Sequence, residues 1–325
     1  MILVVALNPA LDVTHQLGHV DWAGVNRPDA VHARPGGKGP NVARVLHALG
    51  SDVLLAGLAG GNTGNELKAA LGAAHVPAVF AEIAGETRRT FAIVDSGRAQ
   101  TAIFNEPGPL VTEAEHAAFT VLFAEALPRS SAVVLSGSLP PGLSASTYAG
   151  LITMAAQAGV PALLDASGDA LRLGIAAGPA IVKPNLAELE ALAGPVSAAR
   201  PVSTACTVPA ACTVPAAAAE LRNRGVGAVV VTLGSDGLLA VTGQGSWHAM
   251  PEPVSGNPTG AGDAAAAALV HGLVANTPWA DRVRHAAALG AATVAAQVAG
   301  EFEPADYERA LASVRVTSWE QSSCR

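Results

Sequence analysis

Met1-Ile-Leu-Val-Val-Ala-Leu7, followed by Asn8-Pro9, is the stretch from which the fold is read. Seven almost wholly apolar residues without alternation describe a strand buried on both faces, as in a parallel sheet. Residues 41–49 then place Val42, Val45, Leu46 and Leu49 on one face of a helix that stops at Gly50. The rhythm repeats with a strand at 53–58, a helix at 64–74 and a strand at 78–83. Further strands are expected at 132–135, 162–165, 180–182 and 228–232. Helices are expected near 145–158, 186–193, 262–275, 279–298 and 304–312. This alternation predicts an α/β chain with a doubly wound, mainly parallel sheet and helices on both faces.

Segments at about 14–35 and 88–104 break the rhythm. They read as short strands with polar alternation and turns, which predicts a small antiparallel β lid able to keep water from a site beneath it. The hexamer Ala-Cys-Thr-Val-Pro-Ala occurs twice in succession, at 205–210 and 211–216. An Ala/Pro-rich tandem copy reads as an exposed insertion over 198–217, to which no function is assigned. The expected organisation is one domain over 1–312 and a tail over 313–325.

Half of the 325 residues are hydrophobic, enough for a sizeable core, but only 4% are aromatic, which leaves little for stacking single-stranded bases. A net charge of −7 repels nucleic acid and anionic lipid, so neither is an expected partner. An anionic ligand therefore needs a local cluster of donors. Mean hydropathy is positive because of alanine. The most apolar stretches, 264–270 and 286–299, are shorter or more broken than the ~20 residues a spanning helix needs. No basic region precedes the first strand, which argues against a secretory signal. Cys206, Cys212 and Cys324 show no metal-ligand spacing, and a reduced, cytoplasmic protein is expected.

Asn257-Pro-Thr-Gly-Ala-Gly-Asp263 runs directly into the apolar helix of 264–270. Glycines ahead of a helix leave its first N–H groups uncovered, and those groups with the helix dipole hold anions. Gly260 and Gly262 let the backbone come close to a phosphate. Asp263 repels anions and so suits another role. It can take a proton from an attacking hydroxyl while the amides stabilise a transferring phosphoryl group. An ordinary acidic residue in a first helical turn is the plain alternative, and the other motifs weigh against it. Arg34-Pro-Gly-Gly-Lys-Gly-Pro-Asn41 also precedes a helix. It is not a Walker loop, because Lys38 lacks the following Ser/Thr and the glycine spacing. Gly36, Gly37 and Gly39 offer an open backbone surface, Lys38 a point charge and Asn41 a partner for a hydroxyl.

Asn8-Pro-Ala-Leu-Asp12, Ser136-Gly-Ser-Leu-Pro-Pro-Gly142 and Lys183-Pro-Asn-Leu-Ala-Glu188 complete a set of five motifs. In this order, over about 2–312, they resemble the ribokinase-like (PfkB) carbohydrate kinases. The similarity is closest to the branch of 1-phosphofructokinase, tagatose-6-phosphate kinase and the minor 6-phosphofructokinase. The resemblance implies ATP and Mg²⁺ as cofactors, a phosphosugar substrate and a homodimer through the lid. Asp12 then binds sugar hydroxyls, Gly37 and Asn41 form the sugar loop, and Ser138 touches substrate. Asp263 is the base, with Gly260, Ala261 and Gly262 as the anion hole. Lys183, Asn185, Thr232, Gly234 and Gly237 lie on the nucleotide side, and Asn185 and Glu188 organise Mg²⁺, largely through water.

Arg27 and Arg88 fall in or beside the lid segments, and with Lys38 they are expected to converge on a phosphate remote from the reacting hydroxyl. Arg89-Thr90 departs from the Thr-Asn or Gln-Asn pair of that branch, which puts one amide contact to the sugar in doubt. The expected reaction is phosphorylation of fructose 1-phosphate, tagatose 6-phosphate or fructose 6-phosphate to the bisphosphate. The rivals are a kinase of an unphosphorylated sugar or nucleoside, a dinucleotide-dependent oxidoreductase and a non-catalytic sugar sensor. The oxidoreductase needs Gly-x-Gly-x-x-Gly after the first strand, where Asn8-Pro-Ala-Leu-Asp12 stands instead. An intact Asp263 argues against the sensor.

Overall fold

The computed structural model describes residues 1–98, 100–196, 213–296 and 300–318. The strand β1 (Ile2–Ala6) is buried throughout, and its side chains enter two cores. Leu3 and Val5 point into one, Ile2, Val4 and Ala6 into the other. That is the physical content of an apolar run without alternation. On one side of β1 lie β4 (Val53–Ala59) and β5 (Ala78–Glu82), all parallel. On the other lie β8 (Ala132–Ser136), β9 (Ala162–Asp165), β10 (Ile181–Val182) and β11 (Ala228–Thr232), also parallel. The order of addition thus reverses between β1 and β8, where the carboxyl ends of the strands open a crevice.

The far edge is antiparallel. A hairpin of β12 (Leu238–Thr242) and β13 (Gly245–Met250) extends β11, and β14 (Arg315–Ser318) completes a ten-stranded sheet. Residues 315–318, expected in a tail, are therefore an edge strand; they fill the backbone groups that β13 would otherwise present unpaired. One face is covered by α1 (Lys38–Ala48), α2 (Gly61–Ala73), α8 (Ala261–Val274), α9 (Trp279–Ala295) and α10 (Pro304–Ser313). The other carries α3 (Glu113–Ala126), α4 (Thr147–Gln157), α5 (Gly168–Ala176), α6 (Leu186–Ala193) and α7 (Val214–Asn223). Small residues set the spacing: a Cβ on Gly39 would lie 2.5 Å from that of Ala6, so α1 rides directly on β1. Residues 198–212 of the expected insertion, with both cysteines of the repeat, lie outside the described residues, whereas 213–217, expected in it, cap and begin α7 instead.

The strands β2 (Ala10–Leu17), β3 (Ala30–Gly36), β6 (Arg88–Asp95) and β7 (Gln100–Asn105) form a second sheet. Their order is β3-β2-β6-β7. The two outer pairs are antiparallel and the central β2–β6 pair is parallel. This lid starts earlier than the polar alternation suggests, at Ala10, and so takes Asp12 into a strand. Helix α1 likewise starts at Lys38, three residues before the expected 41, which puts Lys38 and Asn41 in its first turn. Among the described residues no helix is long and apolar enough to cross a membrane.

Candidate active site

The crevice between β1 and β8 is where the motif residues meet. Asn8 follows β1, Ser136-Gly-Ser138 ends and follows β8, Asp165 ends β9 and Lys183 follows β10. Helices α1 and α8 direct their N-termini at the same place. The Asn41 amide donates to Asp263 Oδ2 at 2.9 Å, tying the two helix starts together across 222 residues of chain.

Asp165 was legible only as a strand end, and it organises the site. It is 1% exposed and holds two lysines: Lys38 Nζ donates to Oδ1 at 2.8 Å, and Lys183 Nζ pairs with Oδ2 at 3.1 Å. Burial alone would raise its pKa; Lys183 and Lys38 together outweigh burial and hold it below the usual carboxylate range. Burial also opposes the Lys38 charge, yet contact with Asp165 keeps its pKa above the ordinary lysine value. Lys38 therefore stands on Asp165 and within electrostatic reach of Asp263. The expected convergence of Lys38 with Arg27 and Arg88 is not what its contacts show.

Asp263 moves the opposite way. Buried at 7% exposure, its carboxyl is pushed up to about 6 by desolvation and then by the charge of Asp165, against the Asn41 hydrogen bond and the two lysines. Two buried acids in one crevice thus have pKa values displaced in opposite directions, a pattern able to divide cation holding from proton exchange.

Gly260 caps α8 in the left-handed region (φ 86°) and brings no side chain to the helix start. The Ala261 N–H is spent on the Pro258 carbonyl at 3.2 Å, so that expected donor is committed to its own turn. Among the described residues no acceptor is found for the N–H groups of Gly262 and Asp263, which remain open to a ligand. A Cβ on Gly262 would lie 3.5 Å from Lys183 Nζ, which places that ammonium beside the helix start. A cavity of about 720 Å³ adjoins Gly262 and is bounded by Thr232, Gly234, Gly237, Ala287 and Gly290. Gly237 (φ 81°) is required twice over, because a Cβ there would also meet the Ala249 carbonyl oxygen at 2.1 Å. Asn185 lines the same cavity and caps α6: its Oδ1 accepts from the Glu188 N–H, and Glu188 Oε2 accepts from the Asn185 N–H, both at 2.8 Å.

On the lid, Asp12 is pushed up by burial and held back by Arg34, a Thr90 hydrogen bond, Arg88 and Arg44. Gly36 makes room for it, since a Cβ there would fall 1.9 Å from the Asp12 carboxyl carbon. Gly37 (φ 81°) turns the chain from β3 into α1, with Arg88 Nη2 3.6 Å from where its Cβ would be. Ser138 Oγ accepts from Asn8 Nδ2 at 3.1 Å. Arg27 stands exposed between β2 and β3, and no hydrogen bond or ion pair joins it to the site among the described residues.

A crevice with a buried carboxyl of raised pKa, a clamped lysine pair and open amides at a helix start has the makings of a phosphoryl-transfer site. The sequence pattern of the pfkB family carbohydrate kinases matches residues 10–306, and the chain belongs to that family. It is a sugar kinase, transferring phosphate to a hydroxyl. Phosphofructokinase-2 from Escherichia coli in complex with potassium is similar over 96% of this chain and 98% of that one, at 31% identity and a TM-score of 0.85. The same enzyme with fructose-6-phosphate gives 31% identity, the same coverage and a TM-score of 0.83. A Thermotoga maritima protein described as a possible 1-phosphofructokinase shares the fold at 22% identity, 98% and 99% coverage and a TM-score of 0.82.

Proposed function

We propose that this kinase transfers the γ-phosphoryl group of ATP to a hydroxyl of a phosphorylated ketohexose: fructose 1-phosphate, tagatose 6-phosphate or fructose 6-phosphate. The observation that carries the reading is Asp263, buried at the start of α8, hydrogen-bonded to Asn41, with its pKa near 6 beside the open N–H of Gly262. Such a carboxylate is ionised at neutral pH and still basic enough to take a proton. The fructose-6-phosphate complex of the E. coli relative supports the acceptor class.

In the proposed step the acceptor oxygen attacks the γ-phosphorus and the bond to the bridging oxygen of ADP breaks. Asp263 receives the hydroxyl proton. Charge on the moving phosphoryl group is met by the N–H of Gly262 and by Lys38 and Lys183, which Asp165 keeps in place. Adenosine occupies the cavity beyond Gly262, whose mostly small and apolar walls admit a flat ring. Among the described residues no group of three or more His, Cys, Asp or Glu forms a metal cage, and Glu188 has one oxygen engaged in its cap. That donor set fits a hydrated Mg²⁺ held by Asn185 and Glu188 through water and by phosphates, which supplies charge neutralisation on the triphosphate when bound. Asp12, Asn41 and Ser138 bind sugar hydroxyls.

The exposed apolar side chains of the lid, Trp22, Val25, Val31 and Phe104, support pairing with a second copy of the chain. Dissociation of the dimer by Val31→Asp in analytical ultracentrifugation checks this; a dimer that survives the substitution refutes the lid as its interface. A cytoplasmic setting suits the use of ATP. The function is tested by steady-state rates at saturating MgATP with the three phosphosugars against free fructose, ribose and adenosine. A phosphosugar is expected to win by ~10²-fold or more in kcat/KM, as loss of a charged anchor implies. Equal or better use of a free sugar or nucleoside defeats the reading.

A further inference from the structure

The strand registers of the lid place more cation around Asp12 than the motifs disclose. Asp12 is paired with Arg34 on β3 and with Thr90 on β6, and its neighbour two along, Ala10, is paired with Gly36 and Arg88. Alternation along a strand puts Arg34, Asp12, Thr90 and Arg88 on one face. Arg44 on α1 joins them, within electrostatic reach of both Asp12 and Arg34 and ion-paired to Glu301. Three guanidinium groups thus share three carboxylates, Asp12, Glu106 and Glu301, a dense charged cluster in a chain of net charge −7.

These arginines are not equally free. Arg88 is largely consumed by the protein, with Nε donating to the Asn8 carbonyl at 3.1 Å and Nη1 to Thr90 Oγ1 and the Glu106 carbonyl at 3.4 Å. Among the described residues its Nη2 has no hydrogen-bond acceptor. Among the described residues, Arg34 Nε and Arg44 Nη1 are buried and have no hydrogen-bond partner. A buried guanidinium N–H without an acceptor is costly, and two of them in one place call for a ligand rich in anionic oxygens. Burial lowers the Arg34 pKa and Asp12 only partly compensates, so its charge is under-solvated as it stands.

We infer that Arg34 is a specificity-determining residue: with the free Nη2 of Arg88 it receives the phosphate that the acceptor sugar already carries, while Asp12 takes the hydroxyls. This rests on the phosphosugar reading above and assigns the anchoring chiefly to a residue for which the motifs imply no role. Arg44 lies within electrostatic reach of Arg34 and is itself fixed by Glu301.

The test compares wild type, Arg34→Ala and Arg34→Lys with the best phosphosugar and with free fructose, each variant first checked by its thermal melt. Arg34→Ala is expected to raise the KM of the phosphosugar ~10²-fold with kcat within a few-fold, and to leave kcat/KM for free fructose within about threefold. Arg34→Lys, which keeps the charge and loses the fork, is expected to recover about half of that loss on a logarithmic scale. Should the alanine variant not fold, the lysine variant decides by the same split. An unchanged phosphosugar KM, or equal losses for both acceptors, overturns the assignment of Arg34 and leaves the phosphosugar reading standing. A wild type that prefers free sugars defeats that reading first, and Arg34 falls with it.

Discussion

The donor and acceptor halves of the crevice are built from different materials. Around the cavity by α8 the lining is mostly small or apolar, with glycine, alanine, proline and branched aliphatic residues, partly on elements anchored in the core. Under the lid it is long charged side chains on strands with little buried apolar surface. A nucleotide is the same in every turnover, so its site needs fixed amides and a shape, which rigid helices and tight turns hold without side-chain ordering. On the proposed reading the acceptor is recognised by charge and hydroxyl pattern, for which arginines and a carboxylate are suited. Asp263 lies where the halves meet, and changes there should hurt most.

Asp263→Asn sharpens the comparison at this junction. Turnover is expected to fall ~10²–10⁴-fold, while the KM of both substrates changes by only a few-fold. The same substitution should stabilise the fold at neutral pH. An acid whose folded pKa is raised, here from 3.8 to about 6, favours the fold while protonated and loses that contribution as pH rises through 6. At pH 8 the wild type therefore carries a burden of about 3 kcal/mol, from roughly two pKa units, that the asparagine lacks. Thermal melts should separate the two proteins at pH 8 and converge toward pH 4. Near-normal turnover of the variant would remove Asp263 from the mechanism.

Gly237→Ala tests whether the donor half depends on backbone form alone. The position combines φ 81° with a Cβ that would meet the Ala249 carbonyl oxygen at 2.1 Å. A strained backbone of this kind costs ~1–3 kcal/mol. The expected outcome is a KM for ATP raised about tenfold with the phosphosugar KM unchanged, read by varying each substrate in turn. Equal changes on both substrates would mean that the halves are not separable.

The same division explains what was legible in the sequence. The strand β1 was plain because both of its faces are buried, and the start of α8 because glycines mark where side chains must be absent. Asp165 was not, because its partners Lys38 and Lys183 meet it only in the folded sheet, the first across 127 residues. Arg34 stood beside a recognised motif, yet only the β2–β3 register places it opposite Asp12. Helix α3 did leave a local sign, since Thr112 and Glu115 form a capping box, and its apolar positions then lead to Phe119 and Phe123 in the core. The edge strand at 315–318 left none, because a lone edge strand is decided by the neighbour it covers.

The finest test concerns the bond that closes the crevice. Asn41 donates to Asp263 and thereby favours its charged form, against burial and against Asp165. In the wild type, kcat/KM should fall below pH 6 with a slope of one as Asp263 takes up a proton. Asn41→Ala removes a stabiliser of the anion, so the Asp263 pKa rises and the acid limb should move to higher pH. Rates at pH 8 should drop less than those at pH 6, because full ionisation restores the base while the lost sugar contact remains. A limb that stays in place would mean that another group, not Asp263, accepts the proton, and that the junction between the two halves lies elsewhere.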